Sequence, residues 1–288
     1  MSNCSKLESL PEEIGDLENL KKLNASYTLI SRPPYSIVRL NMLKSLTFEK
    51  DKSEDIVNFV FPQVNEGLLS LKYLDLSYCN IIDGGLPEDI GSLSSLKKLC
   101  LRGSTFEHLP RSIAQLGALE FLDLSGCKRL TQLPEFPQQL NIIDAVWSNA
   151  WICNSLFQNM SSLQHDICSS DSLSLTVFGS LADDIPSWFD YQGMGTSVSV
   201  NLPENWCVSD KFLGFAVCYS GRFIDCITAH LIPLCDDGMS SMTQEFALSN
   251  NSEYYDDWDI NFFWYLLVAY GMHLMQMKKH QMTMGALS

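Results

Sequence analysis

Leu96-Lys97-Lys98-Leu99-Cys100-Leu101-Arg102-Gly103-Ser104 and Leu119-Glu120-Phe121-Leu122-Asp123-Leu124-Ser125-Gly126-Cys127 are one pattern written twice. Each copy leads to a Leu-Pro pair, Leu109-Pro110 and Leu133-Pro134. The restart distance is 119 − 96 = 23 residues, and L-x-x-L-x-L-x-x-(N/C) is the leucine-rich-repeat signature. Such repeats stack in one dimension and leave an open concave sheet, whose usual product is a binding surface rather than a pocket.

Working outward, the comb starts again at Leu20 (Leu23, Ala25), Leu43 (Leu46, Phe48) and Leu71 (Leu74, Leu76, Cys79), and in degenerate form at Leu140 (Ile143, Ala145). That makes about six strands over residues 1–148. The step from Leu43 to Leu71 is 28 residues, so an insertion loop is expected near 49–67. Cys4-Ser-Lys-Leu7 has the spacing of Cys127-Lys-Arg-Leu130, so the chain opens inside a repeat and reads as a portion of something longer. The fold class expected here is an α/β solenoid with short parallel strands and a mostly irregular or 3-10 convex side.

Strand side chains alternate, so the residues between the leucines face the concave side. These are Lys72, Tyr73, Asp75, Ser77 and Tyr78, then Lys97, Lys98, Cys100 and Arg102, then Glu120, Phe121 and Asp123. They are the candidate partner-binding residues, with Tyr73, Tyr78 and Phe121 as aromatic anchors.

A net charge of −15 argues against nucleic acid and anionic membrane, because both need clustered Lys and Arg. Ten cysteines occur without a C-x-x-C pair, and MSNCSKLESL has no basic-then-apolar leader. Reduced thiols in a cytoplasmic or nuclear protein are therefore expected. Cys4, Cys79 and Cys127 share one repeat slot, where a small side chain is expected to be buried under the turn after the strand.

The comb stops after about Asn149. Residues 149–180 read as a connector, and 181–262 as an all-β domain of sandwich or jelly-roll type. Its strand-like segments are Thr196–Leu202, Phe212–Tyr219, Ile227–Leu234 and Thr243–Leu248. The series Ile185-Pro186-Ser-Trp188-Phe189, Leu202-Pro203-Glu-Asn-Trp206 and Phe212-Leu-Gly214-Phe215-Ala-Val-Cys218 resembles the C-terminal jelly-roll/immunoglobulin-like domain (C-JID) that follows the repeats in plant TIR-type nucleotide-binding immune receptors. The Leu-Pro-x-x-Ile repeats are similar to the same group. The resemblance implies recognition of pathogen effector proteins and contacts that hold a receptor silent. The aromatic residues of the series read as core.

From Trp264 the pattern departs from that family. The stretch 264–288 holds five methionines and no Asp or Glu. Its codons can be chosen so that the frame two bases on spells VPFGGLWDASNANEKTPNDYG, a turn-rich continuation, so a frameshift near Phe263 is expected. A packed strand or helix and a membrane anchor are the competing readings, the last too short at Phe262–Met277.

No convergent set of titratable groups suggests catalysis. His108 and His230 fall in different halves, and no G-x-x-x-x-G-K-[ST] phosphate loop occurs. No cofactor and no metal are expected, and the partner is a protein: an effector or a full-length receptor. The rival reading is an extracellular repeat protein or inhibitor, in which Asn24, Asn159 and Asn250 would be glycosylated. A receptor fragment acting as a decoy is a third.

Overall fold

The computed structural model describes residues 2–52, 57–65, 67–137, 139–140 and 142–145, and beyond them the backbone of seven strands. The chain divides into two compact units, Met1–Asp166 with Val177–Gly179, and Ile167–Thr176 with Ser180–Ser288.

In the first unit each leucine comb makes one strand: β1 Lys22–Asn24, β2 Ser45–Thr47, β3 Tyr73–Asp75, β4 Lys98–Cys100, β5 Phe121–Asp123 and β6 Ile142–Ala145. All five neighbouring pairs are parallel and in register, so Leu23, Leu46, Leu74, Leu99, Leu122 and Ile143 form one ladder. Every member is at most 5% exposed, and each fully buried side chain of this size stabilises by about 1.5–3 kcal/mol.

The convex side follows from Leu-Pro-x-x-Ile. Proline fixes φ for a turn, and the isoleucine N–H closes it three residues on: Ile14, Ile90 and Ile113 donate to the carbonyls of Pro11, Pro87 and Pro110, each at 3.1 Å. The results are 3-10 turns at Glu12–Asp16, Ile90–Ser92 and Arg111–Gln115; a fourth, Tyr35–Arg39, is built the same way after Pro34. Gly15 and Gly91 stand where the next turn crosses. A Cβ on Gly91 would lie 2.2 Å from the Ser112 carbonyl oxygen, and one on Gly15 would lie 2.5 Å from that of Ser36.

The insertion is more than a surface loop. Phe59, Phe61 and Val64 are buried, and Phe59 packs on Phe48 with ring centroids 5.2 Å apart. The Asp89 carboxylate accepts the backbone N–H of Val64 and of Asn65, tying the segment to a later repeat.

Cys79 and Cys127 are fully buried, and their Sγ atoms donate to the carbonyls of Phe48 and Leu101. Cys4 departs from the expected burial and is exposed.

Strand β7 Ser174–Ser180 is divided between the two units, and the second unit holds β8 Ser197–Asn201, β9 Phe215–Gly221, β10 Cys226–Pro233, β11 Met242–Ala247, β12 Phe263–Ala269 and β13 His280–Leu287. Strands β8 to β11 overlap the four segments read from alternation. An antiparallel sheet runs β11-β10-β13-β8, and β9 pairs antiparallel with β12. Of the family-like series, Ile185, Pro186, Trp188, Phe189, Pro203, Trp206, Phe212 and Gly214 lie outside the described residues, while Phe215 opens β9.

Candidate protein-recognition surface on the concave sheet

Parallel pairing turns each outward position of the repeat into a row. In the first row the backbone N–H of Lys44 donates to Lys21, that of Lys72 to Lys44, that of Lys97 to Lys72 and that of Glu120 to Lys97, at 2.8–2.9 Å. The second row is Lys22, Ser45, Tyr73, Lys98, Phe121 and Ile142. The third is Asn24, Thr47, Asp75, Cys100, Asp123 and Asp144. Of the twelve candidate residues, Lys72, Tyr73, Asp75, Lys97, Lys98, Cys100, Glu120, Phe121 and Asp123 fall in these rows, and Ser77, Tyr78 and Arg102 follow in the turns after β3 and β4.

Exposure separates them. Lys72, Lys97 and Lys98 are exposed; Tyr73, Tyr78, Arg102, Glu120 and Phe121 are half-buried. Asp75 and Asp123 share the face but are 6% exposed, and their oxygens are engaged internally. Asp75 accepts the Tyr73 hydroxyl at 2.7 Å and the Ser77 N–H at 3.0 Å. Asp123 accepts the Ser125 N–H at 2.8 Å and faces Arg102 Nε at 3.4 Å, and the Ser125 hydroxyl donates to Asp144 at 2.7 Å. These acids build the floor on which Tyr73 and Arg102 are set.

Burial raises the Asp123 carboxyl to about 6; the Asp144 charge adds to the rise, and Arg102 and Ser125 oppose it. Glu49 is raised by burial and then by Asp75, while its hydrogen bond with Tyr27 lowers it. Burial, then Asp75 and Asp123, pushes the Cys100 thiol well up, so it is a packed sulfur with little thiolate character. Lys97 pairs with Glu120 at 2.5 Å, and the Lys98 ammonium sits 5.6 Å over the Phe121 ring.

The turn after β1, β3, β4 and β5 holds one left-handed residue. Gly103 (φ 69°) and Gly126 (φ 70°) fill it at no steric cost, and Asn3 (φ 63°) tolerates it. Tyr27 and Tyr78, both at φ 57°, do not fit so easily. The Tyr78 ring leans over Gly103, where a Cβ would come within 2.5 Å of it. Two large aromatics are therefore held in strained backbone at the rim of the sheet.

Sequence reasoning named Tyr78 but missed Tyr27, Glu49, Lys21, Lys22 and Lys44, which aligning the two earlier combs in register would have found. It weighed His108 without Asp83 and Glu107, the two acids whose ligand atoms lie with its own within 4.8 Å of one another. There Asp83 already accepts the Glu107 and His108 backbone N–H groups, and Glu107 pairs with Arg129.

A leucine-rich repeat region model matches residues 63–165, and a C-JID domain model matches residues 181–285. TMV resistance protein N of Nicotiana glutinosa is 57% identical over 297 residues, covering 91% of this chain and 26% of that protein. The chain belongs with the plant disease resistance proteins, as their leucine-rich-repeat and C-JID portion. The disease resistance-like protein DSC1 of Arabidopsis thaliana is 30% identical, covering 78% of this chain and 21% of that protein. The chain thus spans about a quarter of the length of these relatives. Among solved structures, the leucine-rich repeat domain of the type III effector XopL is similar at 26% identity and a TM-score of 0.39, covering 48% of this chain and 56% of that one.

Membership of this family does not favour the extracellular alternative. The exposed Asn24 uses its side-chain oxygen internally, accepting the Ser26 N–H at 2.9 Å. Among the described residues no helix is long and apolar enough to cross a membrane.

Proposed function

We propose that this chain is the non-catalytic recognition portion of a plant immune receptor. It would bind a pathogen effector protein on its concave sheet, and contribute contacts that keep the receptor silent until then. The partner is protein, no cofactor is used, and the working compartment is the cytoplasm, extending to the nucleus.

The observation that carries this reading is the pair Tyr27 and Tyr78. Strained backbone under a large aromatic side chain costs stability, and persists where the side chain is wanted for contact. Tyrosines at the rim, Phe121 on the sheet and cations between them make up the composition of protein-binding hot spots. The relatives' names, which speak of resistance to a virus and to disease, point the same way.

The second unit is proposed to be a jelly-roll or immunoglobulin-like sandwich. Strands β8 to β11, with β10 and β11 paired antiparallel, are of the kind such a sandwich needs. The stretch 264–288 is proposed to be frameshifted; sequencing the transcript across Phe262–Tyr265 tests this, and a frame with no family-like alternative rejects it.

The test of the main reading is a chimera. The matching portion of TMV resistance protein N is replaced by this chain and expressed in leaves. The expected result is a receptor that accumulates, stays silent alone and triggers cell death with a matching pathogen protein. Accumulation with constitutive death, or silence against every pathogen protein tried, overturns it.

A further inference from the structure

The lysine row asks for a reason. Lys21, Lys44, Lys72 and Lys97 are all exposed and stand on consecutive coils, with Lys22 and Lys98 beside them. Neighbouring strands lie about 4.8 Å apart, so four like charges are stacked at that spacing, an arrangement that destabilises a sheet. The chain has 34 acidic residues against 19 basic ones, so acids to alternate with these lysines were plentiful. Yet among the described residues only Lys97 of the six has a carboxylate partner; Lys21, Lys22, Lys44 and Lys72 have none.

The rest of the face selects the partner. Glu49 and Asp75 lie a few residues further along two of the same coils, Asp123 and Asp144 lie on the two coils that follow, and the chain carries −15 overall. A continuous polyphosphate would meet repulsion on one side of the row. A protein segment with a single acidic stripe would not. Four rows span roughly 14 Å at strand spacing, and helical residues three or four apart have Cβ atoms about 5–6 Å apart. Glutamates repeating at that interval along one helix face match the lysine comb. We infer that the lysine row Lys21–Lys44–Lys72–Lys97 is a docking strip for an acidic helix of a partner protein, which deepens the recognition reading above by naming the partner's chemistry.

The probe is a fluorescein-labelled helical peptide with glutamates every three or four residues, titrated into the full 288-residue chain at low and high salt. Fluorescence anisotropy should show binding that weakens with salt. The variant Lys21→Glu/Lys44→Glu/Lys72→Glu should lose at least tenfold in affinity, and the glutamine version should lose several-fold if the glutamate version folds poorly. Lys6→Glu/Lys52→Glu/Lys128→Glu, the same charge change at exposed lysines off the row, should lose less than twofold. Equal losses in both sets, or oligo-dT of matched charge binding as tightly as the peptide, overturn the inference. Peptide binding without any immune partner would leave this inference standing and remove the reading it deepens; a working chimera indifferent to the lysine changes would do the reverse.

Discussion

Leu74 and Asp75 are chain neighbours on opposite faces of one sheet, and the two rows they belong to behave differently. The inner row is leucine in five strands out of six and isoleucine in the last, because every member fills the same gap between coils. On the outer face, the row through Tyr73 changes at each step: Lys22, Ser45, Tyr73, Lys98, Phe121, Ile142. Close packing dictates the first row and leaves the second free to suit a partner. One face encodes the fold, and the other is the face to which we assign specificity.

The largest effect should come from the inner row. Leu99→Ala is expected to cost about 2–5 kcal/mol, read as a shifted urea midpoint. The outer-row change Lys98→Ala should cost under about 0.5 kcal/mol in the same measurement. Equal costs would break the comparison.

Next comes the convex crossing. Gly91→Val forces a side chain against the Ser112 carbonyl and should cost about 1–3 kcal/mol. Gly117→Ala, with nothing within 4 Å of the added carbon, should stay within about 0.5 kcal/mol.

The buried floor of the outer face should show itself through pH. Asp123 has its folded pKa raised from 3.8 to about 6, so the folded chain holds that proton more tightly than the unfolded one. Its stabilising contribution is therefore complete below about 4 and lost as pH climbs through about 6. Asp123→Asn removes this dependence. Relative to that variant, the wild type should lose a few degrees of Tm between pH 5 and 7.5; a pH-independent gap would show that Asp123 does not titrate in this window.

The smallest stability change is expected at Tyr78→Asn, which keeps a residue tolerant of the left-handed turn. Its Tm should stay within a few degrees of wild type, while capture of the partner in the chimera fails. Intact capture would strip the strained tyrosine of its role.

The solenoid was legible because leucine spacing is a packing constraint repeated six times, and Leu-Pro-x-x-Ile spells out its own turn. The burial of Asp75 and Asp123 was not, since alternation tells which way a side chain points and nothing about what Tyr73 and Arg102 then lay over it. Phe59 was hidden too. An insertion reads as loop until its aromatics are seen against Phe48. The left-handed slot needed backbone angles; only Gly103 and Gly126 hinted at it, and Tyr78 gave no sign of sharing it.

The sulfhydryls of Cys79 and Cys127 face inward and donate to carbonyls of earlier coils, and burial lifts Cys127 to about 12 and Cys79 further. An alkylating reagent can reach either one only when its own coil comes apart, whereas Cys4 is open to attack at once. The solenoid therefore carries its own clocks, and mass-resolved labelling over time would read the order in which its coils unzip.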